Sequence, residues 1–86
     1  MGTKLHVGNI PPTAREDDLR SMFGRFGTVE SVEIVKDAGT GLSRRFAIVE
    51  MFHDADAKSA IDRLNFTQYS GRTIGVSRVR VTSLHG

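Results

Sequence analysis

Phe46 and Ile48 stand two apart in the run Arg44-Arg45-Phe46-Ala47-Ile48-Val49-Glu50-Met51, with two arginines ahead of them and a carboxylate behind. Read as a strand with alternating side chains, the run sends Ala47, Val49 and Met51 to one face and Phe46, Ile48 and Glu50 to the other. The first face suits a core. The second sets an aromatic and an aliphatic group among charges. Apolar groups on the open side of a sheet point to base stacking or protein docking, whereas a strand covered on both sides would simply bury them. Lys4-Leu5-His6-Val7 repeats the pattern on a smaller scale, with Leu5 and Val7 inward and Lys4 and His6 outward.

Other kinds of chemistry find no support. His6, His53 and His85 fall on a strand, at a helix start and in the tail, too scattered for one metal site. No serine or threonine has a histidine and an acid placed beside it. The carboxylates gather at Glu16-Asp17-Asp18 and around Asp54, Asp56 and Asp62, as helix-start residues and not as a matched acid–base pair. Gly39-Thr40-Gly41 resembles a phosphate cradle in composition, but such a loop leads from a strand into a helix and this one joins two strands. With no cysteine, disulfides and thiolate zinc sites are excluded. The expectation is a binding protein with no catalytic residue, no cofactor and no metal.

Eighty-six residues, 38% of them hydrophobic and 26% charged, suit one folded domain over 1–86, with its core in about 3–81 and a frayed tail at 82–86. No apolar run approaches a membrane span or a signal-peptide core, so a cytoplasmic monomer without membrane contact is expected. The net charge of +2 says little, but its distribution says more. No carboxylate follows Asp62, whereas Arg63, Arg72, Arg78 and Arg80 do, and Arg44-Arg45 enter the central strand. Charge sorted in this way fits one basic and one acidic face.

The elements that would position these residues come in a simple order. Lys4–Asn9 is a short strand, broken by Ile10-Pro11-Pro12. Thr13, with Glu16 three residues on, forms a capping box for a helix whose core stripe is Leu19, Met22, Phe23 and Phe26 and which Gly27 closes. Val29–Lys36 is a second strand, with Val32 and Ile34 inward and Glu33 and Val35 outward. Asp37–Ser43 turns the chain into the octapeptide. Asp54 or His53 caps a second helix with Ala57, Ala60, Ile61 and Leu64 on its buried side, and Asn65 ends it. Phe66–Gly71 reads as a loop and Arg72–Val81 as a last strand, with Ile74 and Val76 inward. The order β-α-β-β-α-β, with right-handed crossovers, gives an α+β, ferredoxin-like sandwich. Two helices cover one face of a four-stranded antiparallel sheet and leave the other bare.

At this point the chain resembles an RNA recognition motif over residues 3 to 81. Arg44–Met51 is similar to the family's longer signature of a basic residue, glycine, aromatic, glycine or alanine, aromatic, aliphatic, any residue and aromatic. Leu5–Ile10 resembles its shorter hexapeptide. Leu19, Phe23 and Phe26-Gly27, then Ala57 with Ala60-Ile61, Leu64-Asn65, and Gly71-Arg72-Thr73-Ile74 fall at the family's landmarks. Val49-Glu50-Met51 and a chain of one module look most like the small bacterial and chloroplast members.

The resemblance implies single-stranded RNA across the open face, with bases stacked on its aromatics and phosphates held at its rim. The stacking positions are then His6, Phe46 and Ile48, of which Phe46 alone is a full aromatic platform. Each aromatic stack contributes ~1–3 kcal/mol, so isoleucine in one place costs about tenfold or more in affinity. Weak binding with little sequence preference is expected. Arg44 and Lys4 are the phosphate candidates. Arg78 and Arg80, with Ser77, sit where the family's last strand touches RNA, while Glu50 and Glu33 suit base amino groups.

Two departures stand out: Arg45 occupies the glycine position and Met51 an inward aromatic one. Alternation turns Arg45 towards the helices, although its stem is long enough to reach solvent. Sheets of related topology that hydrolyse acyl phosphates need an arginine loop after the first strand, and copper carriers need a cysteine pair. Neither is present. The alternative is that Val35, Phe46, Ile48 and Val79 dock a protein.

Overall fold

Alternation along the two central strands decides where the core lies. The computed structural model describes residues 2–41 and 43–79, and of Ser43 and Arg44 the backbone only. Strand β1 spans Thr3–Gly8 and β3 spans Ser43–Met51. Leu5 and Val7 of the one, and Ala47, Val49 and Met51 of the other, are fully buried. Strands β2 (Val29–Lys36) and β6 (Gly75–Arg78) complete an antiparallel sheet in the order β2-β3-β1-β6. Helices α1 (Glu16–Gly24) and α2 (Asp54–Leu64) pack on one side of it. Leu19 and Phe23 of α1 and Ala57 and Ala60 of α2 are fully buried there, together with Ile10 and Ile74. Side chains of Leu or Phe size stabilise the fold by roughly 1.5–3 kcal/mol each when wholly buried. The two alanines bring the α2 backbone close to the sheet.

Helix α1 is shorter than its pattern suggests. Thr13 does not cap it. The Ala14 N–H is bonded to the Pro11 carbonyl at 3.0 Å, so residues 11–14 form a turn of their own, and extended Arg15 becomes the N-cap. Arg15 has no side-chain oxygen to offer, and Glu16, Asp17 and Asp18 supply negative charge to the helix start instead. Nor does Gly27 close α1, which ends at Gly24. Gly27 is needed for a different reason: a Cβ there would collide with the Asp56 side chain of α2.

The chain after α2 also differs from the expected loop and long strand. Asn65 ends α2, and its Oδ1 accepts the Val76 N–H at 2.9 Å. Gln68–Tyr69 (β4) and Arg72–Thr73 (β5) then pair as a small hairpin across Ser70-Gly71. Both turn residues have positive φ, 49° and 82°, the backbone handedness that a two-residue hairpin loop prefers. The last strand of the main sheet is therefore only Gly75–Arg78. Residues 80–86, with Arg80, Val81 and the expected tail, lie outside the described residues. No helix among the described residues is long and apolar enough to cross a membrane.

Candidate nucleic-acid interface

Strand pairing brings the outward side chains into one patch. Across β1 and β3, Lys4 is opposite Glu50, His6 opposite Ile48, and Gly8 opposite Phe46. Ile48 in turn faces Glu33 of β2, and His6 faces Ser77 of β6. Directly opposed residues share a face of the sheet. Lys4, His6, Phe46, Ile48, Glu50 and Ser77 therefore all lie on the side away from the helices. Lys4 and Ser77 are exposed, and His6, Phe46, Ile48 and Glu50 half-exposed.

At the centre the His6 and Phe46 rings are stacked, with centroids 4.9 Å apart and planes 24° from parallel. Gly8 leaves room beside the imidazole, since a Cβ at that position would stand 3.1 Å from His6 Cε1, a tight contact. Such an aromatic pair contributes ~0.5–1.5 kcal/mol beyond the area it buries. Ile48 extends the apolar surface beside the rings, and Glu33 and Glu50 border it.

The backbone ahead of Phe46 has an unexpected form. Ile34 pairs with Ala47 and Lys36 with Ser43, so β3 carries extra residues opposite Val35, a bulge. Arg45 lies within it at φ 66°, the left-handed region that favours glycine. The bulge interrupts the alternation here, and the arginine is exposed. The Arg45 carbonyl accepts the Ile10 N–H at 3.1 Å, which ties the bulge to the segment after β1. Arg44 belongs to the same bulge by its backbone, and its side chain lies outside the described residues, as does Arg80.

Arg78 is placed differently from Ser77. It is opposite Leu5, hence on the helix side, where its guanidinium holds the Asp54 carboxylate. The second contact of this pair, Nη2 to Oδ2, is 3.3 Å, and Thr3 Oγ1 donates to Asp54 Oδ1 at 2.9 Å. Asp54 is thus the first residue of α2 and not its cap; His53 is the N-cap and makes no side-chain capping bond. The Arg78 hydrogen bond, followed by that of Thr3, holds the Asp54 carboxyl below its usual range. The alternation that turns Ile74 and Val76 inward turns Arg78 the same way, a signal present in the sequence.

A second polar cluster supports the site from its edge. Asn9, at φ 60°, donates from Nδ2 to the Thr73 carbonyl at 2.7 Å and accepts at Oδ1 from Arg72 Nη2 at 2.7 Å. Asparagine tolerates this backbone better than most residues, so it can end β1 sharply and still bind the hairpin. Arg72 is occupied here. Among the described residues no group of three His, Cys, Asp or Glu side chains is placed to hold a metal.

Residues 5–75 match the model of the RNA recognition motif family. The chain belongs to that family. RNA-binding protein CP33 of Arabidopsis thaliana chloroplasts is 42% identical over 74 residues, which are 86% of this chain and 22% of that protein. RbpD of Nostoc sp., which carries a provisional RNA-binding name, is 37% identical over 76 residues, 88% of this chain and 81% of its own. A solved Sxl-lethal protein/RNA complex superposes with a TM-score of 0.89 at 26% identity, covering 98% of this RNA recognition motif and 50% of that chain. The chain spans less than a third of the length of its relatives from Spinacia oleracea, Arabidopsis thaliana, Schizosaccharomyces pombe and Nicotiana sylvestris. The family's preference for glycine at the position of Arg45 matches the left-handed backbone found there.

Proposed function

We propose that this RNA recognition motif binds single-stranded RNA on the bare face of its sheet, as a non-catalytic module with low affinity and little base preference. The observation that carries this reading is the stacked His6–Phe46 pair on the face the helices leave uncovered. One side of the phenyl ring is taken by His6, so a nucleobase joins the stack from the other side or displaces the imidazole. A second base rests on Ile48, which offers contact area without a π-face. Lys4 and the arginines of the β3 bulge supply cations for the phosphates. Glu33 and Glu50 repel phosphate and accept hydrogen bonds from base amino groups. Family membership and the RNA-complex structure among its structural relatives support the same conclusion.

A protein partner on this face would have to desolvate Glu33 and Glu50, which border Ile48. Base amino groups can satisfy those carboxylates on binding, which an apolar docking patch of Val35, Phe46, Ile48 and Val79 does not provide for. The test is an NMR titration with short mixed-sequence RNA oligomers. Amide shifts should concentrate on residues 4–9, 46–50 and 75–78, and binding should weaken as salt rises. Shifts confined to the helices, or none at millimolar RNA, would overturn the reading.

A further inference from the structure

The side of the molecule opposite the bare sheet carries another concave surface. A cleft of 1080 Å³ is bounded by α1 and the residues just after it, by α2, and by the β4–β5 hairpin. Met22, Phe26 and Leu64 line it, each half-buried and packed against the core from the outside. Arg25 and Arg63, both exposed, flank them from the end of α1 and the last turn of α2. Among the described residues neither guanidinium has an ion pair or a hydrogen bond. The carboxylate that lines the cleft, Asp18, is engaged by Tyr69 Oη at 3.1 Å. Burial, and then Asp18, raise the Tyr69 pKa, so at neutral pH the phenol stays protonated and keeps donating.

Cations at the C-terminal ends of both helices suit the helix dipole. That explains one charge per helix, but not an apolar floor left open between the two. Guanidinium forks match carboxylates in shape, and a half-buried apolar floor suits a side chain better than a phosphate backbone. We propose that this cleft docks a short acidic segment of a partner protein, with an aliphatic or aromatic anchor between Met22, Phe26 and Leu64 and carboxylates on Arg25 and Arg63. The cleft and the bare sheet lie on opposite sides of the domain, so a bound peptide leaves the RNA face free.

The test is selection of random dodecapeptides displayed on phage against the whole protein, followed by synthesis of the enriched sequences. Enriched peptides should carry net negative charge around one or two large apolar residues and should shift the amides of Met22, Arg25, Phe26, Arg63 and Tyr69. The double variant Arg25→Glu/Arg63→Glu, its melting temperature confirming that it folds, should bind them about tenfold more weakly or worse, as expected when hydrogen bonds to charged groups are lost. Phe46→Ala should bind them as the wild type does. No enrichment, enrichment of basic or uncharged peptides, or amide shifts on the bare sheet would overturn the proposal. So would a uridine dodecamer that shifts the cleft amides more strongly than the acidic peptides do.

Discussion

The His6 imidazole rests against the Phe46 ring across Gly8, with 4.9 Å between ring centroids. Two strands thereby contribute one joint platform in place of two separate ones. If this platform receives nucleobases, Phe46→Ala removes its larger half. The expected loss is ~1–3 kcal/mol of RNA binding, roughly fivefold to over a hundredfold in Kd. Phe46 is half-exposed, so the circular dichroism spectrum should be unchanged. Fluorescence anisotropy with a labelled oligomer checks the loss, and unchanged affinity would remove the stacking account.

Ile48 offers the converse experiment. It lies on the open face opposite His6 and is half-exposed. Ile48→Phe should tighten RNA binding by ~1 kcal/mol or more, about fivefold to tenfold, by adding a π-face. Equal or weaker binding to the variant would mean that the second base does not sit there.

Electrostatics separate RNA from an apolar partner. Each phosphate contact released contributes about −0.7 to the slope of log K against log salt for a single strand. Lys4→Ala should make the slope shallower by about that amount, with little effect on stability because Lys4 is exposed. Affinities measured between low and physiological salt decide this. A slope near zero in the wild type would exclude phosphate contacts altogether.

The bulge predicts an order of stabilities. Arg45 at φ 66° sustains a conformation that costs an ordinary residue ~1–2 kcal/mol and a β-branched one more. Arg45→Gly relieves it but loosens the unfolded chain, so the two effects partly offset each other. Arg45→Val should be the least stable of the three, by about 1–2 kcal/mol relative to glycine. Urea titration of the three proteins reads the order directly.

The Asp54–Arg78 pair predicts a pH dependence. The folded pKa of Asp54 lies below the ordinary carboxylate value. The group therefore adds stability above that ordinary value, about 3.9, and loses it as pH falls through the lower folded value. Asp54→Asn should melt at a lower temperature than the wild type near pH 6, with the gap closing towards pH 2.5. Both partners are solvent-exposed, so the gap should also shrink at high salt. A difference independent of pH would assign the effect to helix propensity.

Some of this architecture is written locally. The alternation of Leu5 and Val7, and of Ala47, Val49 and Met51, marks the buried face because successive side chains on a strand point to opposite sides. The spacing of Ala57, Ala60, Ile61 and Leu64 marks the helix that covers it. Those patterns also place His6, Phe46 and Ile48 on the other face, and the family follows from the motifs that surround them. The carboxylates of the first helix turn were equally legible, although the residue that begins the helix was not. The Pro11–Ala14 turn competes with Thr13 for that backbone, and the outcome depends on how the chain reaches the sheet.

Tertiary structure decided what depends on partners distant in sequence. The extra residues of β3 opposite Val35 exist only relative to β2, so neither the bulge nor the left-handed Arg45 is visible in the octapeptide itself. Gly27 reads as a helix stop until α2 brings Asp56 against it. Asp54 reads as a cap until Arg78, 24 residues on, claims its carboxylate. Local alternation determines which side of a strand a residue occupies, whereas register and helix docking determine what it meets there. That second kind of information arises when the surfaces close on one another.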